Sequence, residues 1–429
     1  MMDRAAELES LEMYFDRLWP ILRSITGEGV RQTHDILGEF ASLERFEIPS
    51  GTPVFDWTIP QEWRVNEAYI ITPAGERILD VRDNNLHLLN YSVPFRGSLS
   101  RAELNKHLYS LPEQPEAVPY KTSYYKSRWG FCLSQRQRDA LPEGDYEVVI
   151  DTELFDGSLT LSEAVLPGET EREVLFSTYT CHPSLANNEL SGPLTAAFLY
   201  RRLAALPARR LTYRFVFLPE TIGAIAYLQK CGEHLREHLE AGFVLTCCGD
   251  DAPFTYKRSR QNGSLADRAA EQVLRELDTD YRILPFAPLG SDERQYGSPG
   301  FKLPVGSLMR SQYGTYPEYH TSLDDKSFIS FTALQKTVDA YEQIVLALER
   351  NQNYRNLKPY GEVRLDKHGL YNSLGHSKIP ELTKAALWLL NYADGEHDLL
   401  EIARLSGLAV AALNEVAQKC LELGVIEIA

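Results

Sequence analysis

Two histidines and one glutamate stand where this sequence could assemble a metal ion and a general base at one site. His182 lies in TCHPSLANNELSGP (180–193), Glu220 in FLPETIGA (217–224) and His320 in RSQYGTYPEYHTSLDD (310–325). A neutral imidazole is the commonest metal ligand, and a glutamate held at a sheet edge can act as a general base. Each of the first two has a structural alternative of about equal weight. His182 could close a strand end by bonding to backbone, and Glu220 could be a carboxylate favoured by a helix macrodipole. Asp250 and Asp251 in CCGDD (247–251) could ligate metal or form the turn after Gly249, and the turn is favoured for at least one of them. GSDERQY (290–296) adds Asp292 and Arg294, while Arg310 and Tyr319 belong to the long irregular stretch that carries His320. Such loops inside compact domains are often functional.

The elements that must position these residues follow from the periodicity. EVLFSTYT (173–180), LTYRFVFL (211–218) and GFVLTCC (242–248) are apolar strand runs. Helical stretches from Leu194 to Leu206, from near Ile222, from Ser264 to Leu277 and from Phe331 to Arg350 alternate with them, with an extended YRILPF (281–286) between. This alternation predicts βαβ units and a largely parallel sheet flanked by helices. His182, Glu220 and Asp250 then fall at the carboxyl ends of three strands, where open α/β sheets bind ligands.

The flanking regions read differently. Leu8, Leu11, Tyr14, Leu18, Leu22 and Ile25 recur at helical spacing, and GEG (27–29) interrupts the pattern before Val30–Phe40 resumes it. Residues 63–135 alternate short β-type runs with turn residues, and aromatics crowd TSYYKSRWGFC (122–132). Residues 63–135 read as a β-rich unit and 356–429 as a winged helix-turn-helix-like tail.

Composition bounds the partners. The chain has 429 residues, a net charge of −16 and six scattered cysteines without a CxxC pair. That charge argues against nucleic acid, which is bound by neutralising phosphates; an amine-bearing substrate is tolerated better. No apolar run reaches membrane-spanning length and no signal-peptide pattern opens the chain, so a cytoplasmic location without membrane attachment is expected. From Tyr360 to Ala429 there are ten acidic against six basic side chains, and 408–423 carries one lysine and two glutamates. A groove-reading helix needs the opposite balance, so the tail is expected to join proteins, as in a homo-oligomer.

With His182, ANNELSG, PETIG and YHTS in this order, the sequence resembles the zinc aminopeptidase superfamily of bacterial leucyl aminopeptidases and glutaminyl cyclases. TSYYKSRWGFC, TCHPSLAN, GSDERQ and PEYHTS are similar, over nearly the full length, to a bacterial aminopeptidase-like family with an inserted β-rich domain and a C-terminal winged helix. The resemblance implies that the β-rich unit, 63–135, is inserted into one discontinuous catalytic domain, 1–62 and 136–355. It also implies a zinc-dependent aminopeptidase or amidase that cleaves a small peptide or aminoacylated metabolite. His182 and His320 become metal ligands, Glu220 the general base, and Asp292 the carboxylate near the bound amine or leaving group. Asn188 takes the place of the bridging carboxylate and Thr221 that of the second glutamate, while Asp250 is the one counterpart for a third carboxylate. A neutral amide holds two divalent ions poorly, so one zinc ion is expected rather than two. Tyr124, Tyr125 and Arg128, with Arg294, Arg310 and Tyr319, would contact substrate; the first three could equally anchor the two domains together. A catalytically retired binding or scaffold protein is the alternative.

Overall fold

The computed structural model describes residues 3–277, 280–368, 370 and 381–429. Its centre is an eight-stranded mixed sheet in the order Glu44–Pro49, Ser158–Leu166, Thr212–Leu218, Glu173–Tyr179, Leu239–Leu245, Val305–Met309, Phe254–Lys257, Tyr281–Leu284. Thr212–Leu218, Glu173–Tyr179, Leu239–Leu245 and Val305–Met309 run parallel, and antiparallel partners flank them on both sides.

The apolar strand runs are continuous because both faces are covered. Phe176, Phe215 and Phe243 point to one face, where they pack with Leu194 and Phe198 of helix Ser191–Ala204 and with Tyr341 of helix Phe331–Arg350. Their neighbours Leu175, Val216 and Val244 point to the other, against helix Ile222–His238 and the insertion. This is the two-residue alternation of strand side chains. The α/β architecture expected from the sequence is therefore present. Val305–Met309 is a strand inside what read as loop.

The insertion is a four-stranded antiparallel sheet, ordered Arg77–Ile78, Glu62–Ile71, Asp145–Phe155, Phe95–Ser100. Asp145–Phe155 pairs with strands on both sides of it, so the insertion's sheet closes well beyond residue 135. The boundary at 135 expected from the sequence assigns this strand to the catalytic domain. Its partners place it in the insertion.

In the tail, strands Asn353–Asn356, Asp394–Asp398 and Ile426–Ile428 form a small antiparallel sheet beside helices Glu381–Tyr392, Leu399–Ser406 and Val410–Glu422. The sequence's first helical run in the tail, 380–391, begins at Pro380, which lies outside the described residues. Arg268 of helix Leu265–Glu276 donates to both oxygens of Asp398 at 2.8 Å, and the tail's apolar residues continue the core of the main domain. Among the described residues no helix is long and apolar enough to cross a membrane.

Candidate active site

The chain leaves strand Glu173–Tyr179, forms Thr212–Leu218 on one side of it, and then crosses to form Leu239–Leu245 on the other. The strand order reverses there, which opens a crevice at the carboxyl ends. His182 follows the end of the middle strand, and Glu220 follows the end of its neighbour. A single wide π turn, Ala186–Leu190, precedes helix Ser191–Ala204. Such turns insert one extra residue and re-aim side chains, often at functional sites. Gly192 lets this helix press on the sheet, since a Cβ there would lie 2.4 Å from the Leu245 carbonyl oxygen.

The turn brings Glu189, not Asn188, against His182. The His182 Nδ1 lies 2.7 Å from Glu189 Oε2, and its Nε2 lies 3.7 Å from Glu220 Oε2. A carboxylate on Nδ1 fixes the proton there and turns the Nε2 lone pair outward. Behind them Arg23, fully buried, donates from Nε to the His182 carbonyl oxygen at 2.8 Å and lies 3.7 Å from Glu189 Oε1. Neither Arg23 nor Glu189 was among the expected site residues. Glu189 was visible as the acid beside Asn188, whereas nothing in the helical spacing around Arg23 announces its reach of about 160 positions.

His320 comes from the opposite wall, held by the insertion. Its carbonyl accepts from the Tyr120 N–H at 2.7 Å, and Ser322 N–H donates to the Val118 carbonyl at 2.8 Å. The ring stacks on Tyr319 at 3.9 Å and lies 5.4 Å from the His182 ring. Tyr120 packs between both, 5.1 Å from one and 5.2 Å from the other. A cavity of about 310 Å³ separates these groups, lined by His182, Glu220, His320, Ile25 and Ile222 and by Trp57, Tyr120, Thr122, Tyr124 and Tyr125.

The floor is strained. Thr221 has φ 65° and His320 φ 56°, in the left-handed region that β-branched and bulky residues avoid. Thr221 is held there because its N–H donates to Asp292 Oδ1 at 2.8 Å and its hydroxyl accepts from Arg294 at 3.2 Å. Strain of this kind costs roughly 1–3 kcal/mol and collects at active sites. Burial raises the pKa of Glu220, against the pull of His182 and Arg294. Burial, then the nearby Glu220, pushes Asp292 well above the carboxylate range. For His182 burial disfavours the proton, but the Glu189 hydrogen bond and charge outweigh it and the pKa rises. Burial lowers His320 to about 3, so its ring is neutral.

Several buried atoms here have no hydrogen-bond partner: His320 Nε2, both side-chain atoms of Asn188, Asp292 Oδ2 and Glu189 Oε1. Such atoms are rare in native interiors, where water, an ion or a ligand otherwise satisfies them. The tightest set of ligating atoms among the described residues is Cys181, His182 and Glu189, within 4.8 Å of one another, but Arg23 already balances that glutamate. Facing the cavity are the imidazoles of His182 and His320, ligands of the kind zinc takes, with the Glu220 carboxylate beside them.

Of the other expected residues, all but Tyr124 and Tyr125 lie apart from the cavity or behind it. Asp250 accepts from Asn187 Nδ2 at 2.6 Å, Ala252 N–H at 2.8 Å and Ser311 at 3.0 and 3.1 Å, so both of its oxygens are spent on holding loops. Arg310 is buried over the Phe254 ring at 3.8 Å and donates to Thr337 and to the Ala252 and Ala333 carbonyls. Arg128 is exposed and outside the cavity lining. Tyr124 and Tyr125 line the cavity, Tyr319 backs His320, and Arg294 supports Thr221.

Known proteins share this architecture. A family model described as "Domain of unknown function (DUF4910)" matches residues 13–351, and a winged helix-turn-helix model matches 352–428. A Clostridium acetobutylicum protein is 43% identical over 403 residues, 94% of this chain and 92% of that protein. It bears the provisional name of polysaccharide biosynthesis protein with aminopeptidase-like domain. A crystal structure from the same organism, provisionally described as a peptidase, superposes with TM-score 0.92 at 40% identity, covering 99% of this chain and 98% of that one. A zinc aminopeptidase from Bacillus subtilis gives TM-score 0.58 at 12% identity over 80% of this chain and 94% of its own. A peptidase M28 precursor from Shewanella amazonensis gives 0.55 at 13% over 80% and 92%. These last two show the fold alone.

Proposed function

The chain belongs to the DUF4910 family, and from that membership and the geometry of its cavity we propose that it is a zinc-dependent hydrolase of an amide bond in a small molecule. The observation that carries this reading is Glu220, facing His182 across 3.7 Å in a cavity whose far wall presents the unpartnered His320 Nε2. His182 and His320 would hold one zinc ion. Such an ion lowers the pKa of its water to near 7 and polarises a carbonyl.

The protein's own groups supply the rest. Glu189 keeps the His182 proton on Nδ1, so that Nε2 is free to donate its lone pair. Glu220, whose raised pKa brings it closer to neutrality, accepts the proton of the attacking water and returns it to the leaving amine. Tyr120, Tyr124, Tyr125 and Trp57 exclude bulk water and seat the substrate. The peptidase-type neighbours support this chemistry, and the relative named for polysaccharide biosynthesis favours a substrate joined to a glycan precursor. We further propose a cytoplasmic protein that binds neither nucleic acid nor membrane and self-associates through its acidic tail.

Metal analysis of the purified protein, with hydrolysis of aminoacyl amides before and after chelation, tests the proposal. One zinc per chain and chelator-sensitive turnover are expected. No zinc and no hydrolysis under any metal supplement would overturn it in favour of a retired scaffold. One observation favours that second reading: the neutral, unpartnered amide of Asn188. Asn188→Asp separates the two, because a gain of both metal and activity over an inert parent marks the native chain as degenerate.

A further inference from the structure

The chain as a whole is strongly acidic, with a net charge of −16, yet its cavity is not. Glu220 is the sole carboxylate that lines it. Asp292, the other acid expected near a substrate amine, turns away. Its Oδ1 accepts the Thr221 N–H, and its Oδ2 is sealed from solvent. Glu189 lies behind His182, balanced by Arg23 at 3.7 Å. Glu293, next in line, bonds Lys257 and the Tyr313 hydroxyl. Around these groups two further cations act on the cavity, Arg294 on Glu220 and Lys121 on His320.

An aminopeptidase substrate carries a free ammonium beside its scissile bond. A buried ammonium needs an anion or a hydrogen-bonding cage, because its desolvation costs several kcal/mol. Here the one available anion is already committed to the proton of the attacking water. What the remaining lining offers is uncharged: the faces of Tyr120 and Tyr124, whose hydroxyls are bonded to each other at 2.9 Å, the Thr122 side chain, and at the mouth the T-shaped pair Trp57 and Tyr125, with centroids 5.5 Å apart. These two rings are 40% and 50% exposed, too much for side chains whose business is packing. Half-exposed Trp and Tyr present a flat apolar face with a polar edge, suited to a ring that is itself apolar on its face and polar at its rim.

Resting on the amide-hydrolase reading above, we propose that the cavity selects neutral amides, in which the position of a free amine is acylated or absent, and seats a ring of the substrate against Trp57 and Tyr125. The enzyme is on this view an amidohydrolase of acylated compounds, and the free N-terminal amine of a peptide is excluded from it.

Binding is measured by calorimetry on the full-length, zinc-supplemented protein with two matched pairs of ligands. The pairs are 3-phenylpropanamide against phenylalaninamide, and N-acetylglucosamine against glucosamine; in each the first member lacks the ammonium of the second. At pH 7 the neutral member of at least one pair binds tenfold or more tighter, and Trp57→Ala removes most of that affinity. The pair that responds tells an aromatic ring from a sugar ring. Tighter binding of the ammonium members, equal binding within both pairs, or no binding of any of the four at millimolar concentration overturns the proposal. These readouts do not need turnover. Parallel assays with 3-phenylpropanoyl and phenylalanyl p-nitroanilides report on hydrolysis itself. Selective binding without turnover would therefore sink the hydrolase reading and leave the selectivity standing.

Discussion

The two ends of strand Glu173–Tyr179 carry the same kinds of side chain and treat them in opposite ways. At its start, Arg214 donates to both oxygens of Glu173 at 2.8 Å and to Glu163 at 2.7 Å. Tyr227 donates to Glu163 at 2.5 Å, and His234 lies 2.9 Å from Glu173. None of these five residues has an unpartnered buried side-chain atom among those found in the described residues. Beyond its end, Arg23, Glu189, Asp292 and His320 each leave one such atom unpaired. A buried network that satisfies every member rigidifies a fold, whereas unpaired buried groups are costly and ask for a reason, such as a catalytic role or a bound water or ion. Two histidines make the same point. Burial lowers both His34 and His320 to about 3, yet His34 has Ser162 at 2.8 Å and Thr180 at 2.9 Å on its two nitrogens. Titration alone would not distinguish them. The count of partners does.

The contrast can be broken most decisively at Glu220. Glu220→Gln keeps the shape and removes the base, so kcat falls by about 10²–10⁴-fold while the unfolding midpoint holds or rises. Turnover near the parental rate would show that Glu220 is a strand-end carboxylate like Glu173 and no more.

Arg214→Ala makes the reverse test. It strands two buried carboxylates and costs about 3–5 kcal/mol of stability in urea unfolding, with zinc content per folded chain unchanged. A loss of zinc from folded protein would mean that the two ends are not separable.

His34 gives a pH dependence of known sign. Its folded pKa of about 3 lies below the ordinary 6.5, so the unfolded chain binds the proton more readily than the native one. The stability it confers is complete above pH 6.5 and is lost as pH falls from there toward 3. At pH 5 the loss is about 2 kcal/mol. In urea titrations at pH 7.5 and 5, His34→Gln is expected to flatten that slope and leave zinc binding alone.

Much of this was legible in the sequence wherever physics is local. The strands 173–179 and 212–218 and the helix 331–350 follow from apolar period and caps, and with them the placement of His182 and Glu220 at one edge. What escaped depends on long-range pairing. Asp145–Phe155 has an ordinary alternating pattern, and its assignment to the insertion is decided by Glu62–Ile71, some eighty residues earlier. Glu189 displaces Asn188 at His182 because a π turn adds one residue, a register effect that spacing cannot show. Arg310 and Asp250 looked available because charged residues in loops usually are. Here Phe254 and Ser311 had already claimed them.

The smallest effect offers the finest cut. Tyr227→Phe deletes one hydroxyl from the satisfied end and leaves Arg214 still bonded to Glu163. Hydrogen bonds to charged groups are worth about 1.5–3 kcal/mol, and a carboxylate that keeps a guanidinium loses toward the lower figure, so about 1.5 kcal/mol is expected in urea unfolding. The hydroxyl is far along the strand from His182, and additivity should hold for sites that share no partner. The double variant Tyr227→Phe with Glu220→Gln should therefore show the sum of the two stability changes and the kcat of Glu220→Gln alone. Strong non-additivity in either would mean that the strand between Glu173 and Tyr179 transmits strain, and that the unsatisfied end is kept open by the satisfied one.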